Sequence, residues 1–304
     1  MEMILRNRIV GVLLLVLSSF AFVSFALGAN TYSADFEANS SQYFSDGATF
    51  GSDYTAITVQ AWVKLESLPS SGNYMKIVNE YSADGKYLLT VRNNGGTPQW
   101  CFYFEPVTTG HTFVCENVTL VIGQWYHLQV SWLGDGSTVK IWRDCDLKTT
   151  SAVLTGAMVD GSTLFVVGRT ADTSDSYFDG LVDDVRIWSV SKDTTACTDT
   201  WKTELVGNEA NLTAYYKLNN DAVDSTGGTT LTNNNSVLYT TDIPDWGSSG
   251  GLDYYNYWVS VQIVSTTSDQ ALKYTLELLN FILISGIGGV FVYVGYMLIG
   301  NKKK

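Results

Sequence analysis

Short segments of alternating apolar and polar residues extend from about residue 32 to residue 246. Residues 57–64 read ITVQAWVK, with every second residue apolar, and residues 125–132 and 138–142 repeat the pattern. A period of two with one buried face is typical of antiparallel strands rather than of a parallel α/β sheet. Gly, Asn, Asp and Ser turns separate these segments, as in GDGS at 134–137. The pattern predicts an all-β, two-sheet antiparallel sandwich of the jelly-roll type over residues 29–246.

An apolar segment at the N-terminus predicts a signal peptide. Arg6 and Arg8 precede the almost wholly apolar residues 9–27, and small residues follow at 28 and 29. A positive region, an apolar stretch and small residues at the end are the three parts of a secretory signal. We therefore expect residues 1–28 to be removed on export, with an uncleaved anchor as the alternative because the apolar stretch is long.

A second apolar segment lies near the C-terminus. Residues 278–300 carry no charged side chain, and three lysines follow at residues 302–304. A helix rising about 1.5 Å per residue crosses a hydrocarbon core of ~30 Å with this length. Basic residues stay on the cytoplasmic side. We predict a linker and stalk at 247–274, a single transmembrane helix at 275–300 and a cytoplasmic tail at 301–304.

This topology predicts a type I single-pass protein at a cell surface or in a virion membrane, with the β domain outside. Ser285 and Gly289 have the small-xxx-small spacing that lets two membrane helices approach closely, so a homo-oligomer is one expectation. The exported domain also contains all four cysteines, which favours disulfides. Cys101 and Cys115 flank a turn signal and are predicted to pair across a hairpin, which leaves Cys145 to pair with Cys197.

Charge and composition exclude several function classes. The formal net charge is −12, from 18 basic and 30 acidic residues, which argues against a nucleic-acid partner because phosphate binding needs clustered cations. The chain has two histidines and lacks the E-x-D-x-E carboxylate pattern that glycanases on β-sandwiches use. We therefore predict no enzymatic activity, and we interpret His127 as a strand residue whose hydrogen bonds are satisfied.

Six segments, in order along about 200 residues, resemble laminin G-like and concanavalin A-like jelly rolls. The best of them, FDGLVDDVRIW, is similar to the family phrase F-x-G-x-I-D-E-V-R-I-Y/W. The segments are ADFEANSSQYF (34–44), ITVQAWVK (57–64), GQWYHL (123–128), FDGLVDDVRIW (178–188), AYYKL (214–218) and DSTGG (224–228). The resemblance implies the same sandwich fold, which serves lectins, adhesion modules and glycanases alike and so names no ligand by itself.

The resemblance also implies a candidate Ca²⁺ site. In the related pentraxins, loops that match Asp84 and Asp172 supply Ca²⁺ ligands, and Asp175 lies close enough in sequence to join them. Some laminin G-like domains instead hold a structural Ca²⁺ near the first strand, which implicates Glu37, with Asp179 as a further carboxylate. The alternative is that these residues serve only turns and solubility.

Carbohydrate binding is the favoured use of such a surface, because sugars stack on exposed aromatic rings. Trp142, Trp100 and Tyr103 are the candidate ligand-binding residues, although core packing is the competing role for each of them. We expect a non-enzymatic recognition or adhesion protein that binds a glycan or a surface protein. The alternative is a self-assembling surface-layer, filament or virion coat protein, and a glycan hydrolase is the less favoured third.

Overall fold

The computed structural model divides the chain into two compact units, residues 28–251 and residues 1–27 with 252–304. Side chains are described for residues 30–46, 54–80, 87–105, 112–156, 158, 164–170 and 176–246, and the backbone is described for four short strands between residues 277 and 297.

The described part of the first unit is made almost entirely of strands. In chain order they are β1 (Ser33–Phe36), β2 (Tyr43–Ser45), β3 (Ile57–Leu65), β4 (Tyr74–Glu80), β5 (Tyr87–Asn94), β6 (Thr97–Phe104), β7 (Thr112–Glu116), β8 (Trp125–Trp132), β9 (Ser137–Arg143), β10 (Asp146–Leu154), β11 (Val166–Val167), β12 (Gly180–Trp188), β13 (Leu212–Tyr216), β14 (Thr232–Asn234) and β15 (Leu238–Thr240). A 3-10 turn (Ala38–Ser40) and helix α1 (Thr194–Thr198) complete the elements.

These strands form two antiparallel sheets. Sheet A has the order β10-β9-β8-β3-β12-β1-β15, with β13 also paired to β12. Sheet B has the order β14-β2-β11-β4-β5-β6-β7. Neighbours in these orders are often distant in sequence, as where β3 pairs with both β8 and β12. The two-sheet, jelly-roll-like antiparallel sandwich predicted from the alternation is confirmed.

The alternating positions separate a dry core from two outer faces. Val59, Ala61 and Val63 of β3 are fully buried in the core between the sheets. Thr58 and Gln60, which alternate with them, face the other side of sheet A and bond polar neighbours instead. The period-two pattern therefore orients each strand, because a shift of one residue would turn its whole apolar set outward.

Helix α1 and the loop after it cover the outer face of sheet A. The Trp62 indole Nε1 donates to the carbonyl of Trp201 at 2.9 Å, and the Trp142 indole Nε1 donates to Thr194 Oγ1 at 2.9 Å. Asp193 caps the helix by accepting from the backbone N–H of Ala196 at 3.0 Å. The aromatic residues on this side of sheet A thus become a second buried layer.

Both predicted disulfides are confirmed. Cys101 on β6 and Cys115 on β7 are directly opposite in the hairpin register, as the turn signal between them indicates. The Cys145–Cys197 disulfide joins the β9–β10 turn to helix α1. One bridge therefore closes a local hairpin, while the other fastens the covering helix to sheet A.

In the second unit the structure differs from the predicted helix at 275–300. Strand β16 (Glu277–Leu278) pairs with β19 (Tyr296–Met297), and β17 (Leu283–Gly286) pairs with β18 (Gly289–Val292). Gly286 of β17 is paired with Gly289 of β18 in this register. No helix in the described residues has the length and apolar character needed to span a membrane.

The remaining boundary predictions concern residues that the structure does not describe. The signal peptide at 1–28, most of the linker and stalk at 247–274 and the tail at 301–304 lie outside the described residues. The small-xxx-small pair, Ser285 and Gly289, is described only as backbone, in strands β17 and β18. Membrane anchoring and self-association therefore stay predictions.

Candidate functional site

Of the residues expected to hold Ca²⁺, the structure describes Glu37 and Asp179. Asp84, Asp172 and Asp175 lie outside the described residues. Glu37 directly follows β1, and Asp179 directly precedes β12, which pairs with β1. The sheet thus brings these two sequence-distant carboxylates to the same end of neighbouring strands, where Asp179 Oδ1 accepts from the backbone N–H of Ala38 at 3.2 Å.

Three carboxylates at this end form what we call the acidic cluster: Asp35, Glu37 and Glu66. Their carboxylate oxygens lie within 4.8 Å of one another. Asp35 is in β1, and Glu66 follows β3, where its backbone N–H donates to the carbonyl of Asp179 at 3.1 Å. The sequence had indicated Glu37 here, but Asp35 and Glu66 were missed because only strand pairing joins the two chain segments.

The carboxylates of the acidic cluster repel one another. Partial burial raises the pKa of Asp35, and the charges of Asp179 and Asp242 raise it further. The pKa of Glu66 is raised by partial burial and then by Asp35, Glu37 and Asp179, against a smaller opposing effect of Lys64. Asp35 Oδ1 is also buried and accepts no hydrogen bond. A cation in contact with these oxygens would remove the repulsion.

The chemistry and spacing of the acidic cluster fit a calcium ion. Ca²⁺ takes oxygen ligands at about 2.3–2.6 Å, so two oxygens on opposite sides of it lie about 5 Å apart. One oxygen from each of the three carboxylates lies within 4.8 Å of the other two, which is compatible with contact to one shared ion. The cluster offers three carboxylate oxygens, and backbone carbonyls or water would have to complete such a site.

A second group of potential metal ligands is structural. His127 Nδ1 lies 4.0 Å from the sulfur of Cys145 and 3.8 Å from that of Cys197, but these sulfurs are joined in a disulfide and provide no thiolate. Burial, followed by the nearby charge of Arg186, lowers the pKa of His127 to about 3, so the ring is neutral. Its Nε2 makes no hydrogen bond, so our expectation of a fully satisfied histidine was wrong.

The two tryptophans proposed as ligand-binding residues are buried. Trp100 points into the core, where its ring meets Tyr126 edge-on at 5.5 Å. Trp142 lies on the outer face of sheet A, under helix α1. Neither ring is accessible to a sugar. The alternation of apolar and polar residues predicts which face of a strand a side chain occupies, but it does not predict whether another element covers that face. Both assignments are corrected to packing roles.

Tyr103 belongs to a group on the outer face of sheet B that we call the aromatic–arginine patch, consisting of Tyr74, Arg92, Tyr103 and Phe113. The Tyr74 and Phe113 rings stack with centroids 5.8 Å apart, and Tyr103 meets Phe113 edge-on at 5.0 Å. The Arg92 guanidinium carbon lies 4.9 Å from the Phe113 centroid and 5.7 Å from that of Tyr74. Tyr74, Arg92 and Phe113 are partly exposed, whereas Tyr103 is only 6% exposed. The assignment of Tyr103 as a ligand-binding residue is therefore corrected to a packing role, in which its ring supports that of Phe113.

The β4–β5–β6–β7 meander builds this patch from four strands. Tyr74 is opposite Arg92 across β4 and β5, and Tyr103 is opposite Phe113 across β6 and β7. The amino-acid sequence contains a signal for these positions, since each alternates with neighbours that face the core. Their convergence could not be found from sequence, because it depends on the order of strands in the sheet.

Comparison with known proteins places this geometry in a family. Residues 36–195 match a laminin G family described as the concanavalin A-like lectin/glucanases superfamily. The chain belongs to this superfamily. The matched residues cover most of both sheets of this laminin G-like chain, from the end of β1 into helix α1. No curated protein sequence matches the chain.

Two solved structures share the fold of this laminin G-like chain. A Bacteroides ovatus protein described as a candidate carbohydrate-binding protein is 19% identical, with a TM-score of 0.58 over 70% of this chain and 61% of its own. The heptameric pentraxin of Limulus polyphemus is 13% identical, with a TM-score of 0.50 over 70% of this chain and 96% of its own. At these identities the likeness shows the fold alone.

Proposed function

We propose that this laminin G-like chain is a non-enzymatic recognition protein that binds carbohydrate through the aromatic–arginine patch. The observation that carries the proposal is the partly exposed pair of stacked rings, Tyr74 and Phe113, beside Arg92. Aromatic faces bind the C–H face of a sugar, while a guanidinium bonds its oxygens. The superfamily includes lectins, and the related Bacteroides protein is described as a candidate carbohydrate-binding protein.

The choice of sheet follows from what covers each face. On the outer face of sheet A, helix α1 and its following loop take up the exposed ends of Trp62 and Trp142. On the outer face of sheet B, Tyr74, Arg92 and Phe113 of the patch retain partial solvent exposure in the described structure. The Cys101–Cys115 bridge lies on that same face and fixes β6 against β7. A rigid, disulfide-supported platform loses little conformational entropy on binding.

We propose that the acidic cluster holds a Ca²⁺ ion that orders the edge of the sandwich. Mutual repulsion, the buried Asp35 Oδ1 and the oxygen spacing support this assignment. The ion would neutralise the carboxylates that end β1 and β3 and so stabilise the folded chain. The role proposed for it is structural and is separate from the sugar contact.

We further propose that the laminin G-like unit acts outside a cell or virion membrane, with the apolar segment 275–300 as its anchor. Two disulfides in the described unit support an oxidising compartment. The uncharged stretch 278–300 followed by lysines supports type I topology. A glycan on an opposing surface is the partner that this display would meet.

A glycan array tests the proposal, using the full chain in detergent micelles. We expect binding to a defined set of glycans, and loss of about tenfold or more in affinity for Tyr74→Ala and Phe113→Ala, because each removes a stacking face. Leu133→Ala, at an exposed residue in the β8–β9 turn, is the matched control and should bind normally. Absence of binding to every glycan, or unchanged binding by both aromatic variants, would refute the proposed function.

A further inference from the structure

We propose that the aromatic–arginine patch selects acidic saccharides, namely sugars bearing a carboxylate, and that Arg92 is the residue that recognises the acid. This inference rests on the proposed carbohydrate-binding function and names the substrate class of the same site. The sugar ring would lie on Tyr74 or Phe113 while its carboxylate meets the guanidinium. A neutral sugar would make only the stacking contact.

The first support is that the Arg92 guanidinium has no anionic partner among the described residues. Its contacts there are with the rings of Tyr74 and Phe113. Two other described arginines, Arg143 and Arg186, do have carboxylate partners. Arg143 makes three hydrogen bonds to Glu116, and Arg186 pairs with Asp184 at 2.6 Å. In a chain with 30 acidic and 18 basic residues, an arginine without a carboxylate is an available cation.

The second support is that neighbouring aromatic rings restrain the Arg92 guanidinium. Flanking rings restrict the planar guanidinium, and its N–H groups have no hydrogen-bond partner among the described residues, so little order is lost when a ligand binds. A guanidinium donates two parallel N–H bonds to one carboxylate, and such charge-assisted pairs are about twice as strong as neutral ones. The patch therefore combines an apolar stacking surface with a preorganised receptor for a carboxylate.

The third support is position. Arg92 lies opposite Tyr74 on β4 and opposite Gln99 on β6, in the middle of the row that crosses these strands. Its side chain is half-exposed, as are the two rings beside it. An acid group on a sugar stacked at either ring thus lies within reach of the same guanidinium. Arg92 is therefore the specificity-determining residue of the patch.

The test compares carboxylated glycans with their own methyl esters, which differ only in the charge of the acid. Sialylated and uronate glycans, their esters and sulfated glycans are titrated against the full chain in detergent micelles. We expect the wild type to bind at least one free acid about tenfold or more tightly than its ester. Arg92→Gln should lose this preference and keep the affinity for the ester, because the rings remain.

Two further variants separate recognition from simple attraction between charges. Lys140→Gln removes one positive charge from an exposed site on β9 and should keep the full preference for the acid. Arg92→Lys keeps the positive charge but loses the two parallel N–H donors of the guanidinium, so it should retain only part of the preference for the free acid. An equal preference in Arg92→Lys and wild type, with sulfated glycans bound as well as carboxylated ones, would overturn carboxylate recognition.

The inference and the proposed function fail in different ways. If wild-type protein binds acids and esters equally, or if Arg92→Gln keeps the preference, the acidic-saccharide inference is wrong while sugar binding at the patch stands. If no glycan of either kind binds, both are wrong. Circular dichroism of each variant establishes that a lost preference does not come from lost folding.

Discussion

Arg186 and Asp184 form an ion pair buried within the laminin G-like unit, with Nη2 and Oδ2 2.6 Å apart. Arg186 also donates to the carbonyls of Thr200 and Thr203, at 2.9 Å and 2.6 Å. The pair thereby connects β12 to the loop that follows helix α1. Asp184 has a φ of 53° and lies at a register shift between β12 and β3, which brings two residues of the family phrase into one ionic contact.

Removing one partner of the Arg186–Asp184 ion pair should strongly destabilise the folded chain. In Asp184→Asn the shape and the left-handed backbone are tolerated, but Arg186 is left as a buried charge without a counter-ion. We expect a loss of about 3–5 kcal/mol in the free energy of unfolding. Denaturant titration measures it, with Asp146→Asn as control, since that exposed partner of Lys148 should change stability by about 0–1 kcal/mol. Similar small losses in both variants would contradict the assignment.

The two disulfides should contribute unequally to stability. Their sequence separations are 52 residues for Cys145–Cys197 and 14 for Cys101–Cys115. Loop-closure entropy then predicts losses of about 4 and about 3 kcal/mol when each pair is changed to serine. Thermal unfolding of the two double variants and of wild type shows which disulfide contributes more to stability. The reverse order would show that strain or residual structure, rather than chain entropy, decides the contribution.

His127 predicts a specific dependence of stability on pH. Its pKa is about 3 in the folded chain and about 6.5 when unfolded, so between these values the unfolded chain binds the extra proton. The stability contributed by the neutral ring is full above about pH 6.5 and is lost as the pH falls toward 3. The stability difference between wild type and His127→Phe should therefore fall by up to about 1.4 kcal/mol per pH unit.

Denaturant titrations of both proteins between pH 7 and pH 4 measure this difference. Buried Asp183, whose pKa is raised well above its usual range by desolvation, gives the opposite slope. That slope is present in both proteins and cancels in the comparison. A difference that stays constant across the range would mean that His127 is protonated in the folded chain or is open to water.

Calcium should stabilise the full chain if the acidic cluster binds it. At a concentration of one hundred times Kd, the expected gain is about 2.7 kcal/mol, seen as a higher Tm that a chelator abolishes. Glu66→Gln should remove the gain, because it takes one of three ligands, whereas Asp146→Asn on exposed β10 should keep it.

A further variant distinguishes the two candidate calcium sites. If Asp172→Asn rather than Glu66→Gln removes the gain, the ion is held by the loops that contain Asp84, Asp172 and Asp175. If no variant changes the response because wild type has none, neither site binds calcium. The carboxylates of the acidic cluster would then remain as mutually repelling surface groups.

The chain's own pattern determined the all-β sandwich, the order of its family segments and the pairing of its cysteines. These features depend on neighbouring residues or on the alternation that a pleated strand imposes. It also indicated Glu37 and Asp179 as candidate site residues, and it indicated Tyr103, whose side chain the fold buries. It wrongly favoured Trp100 and Trp142, because alternation does not reveal whether an outer face is covered by a helix.

Only the tertiary structure decided which residues meet. Asp35 joins Glu66 because β1 and β3 both pair with β12, and Arg92 meets Phe113 because β4–β7 form one meander. Such contacts are set by strand order, which depends on packing of the whole core rather than on any local segment. Sequence periodicity fixes the side to which a residue points, whereas the fold fixes its neighbour, and binding chemistry requires both.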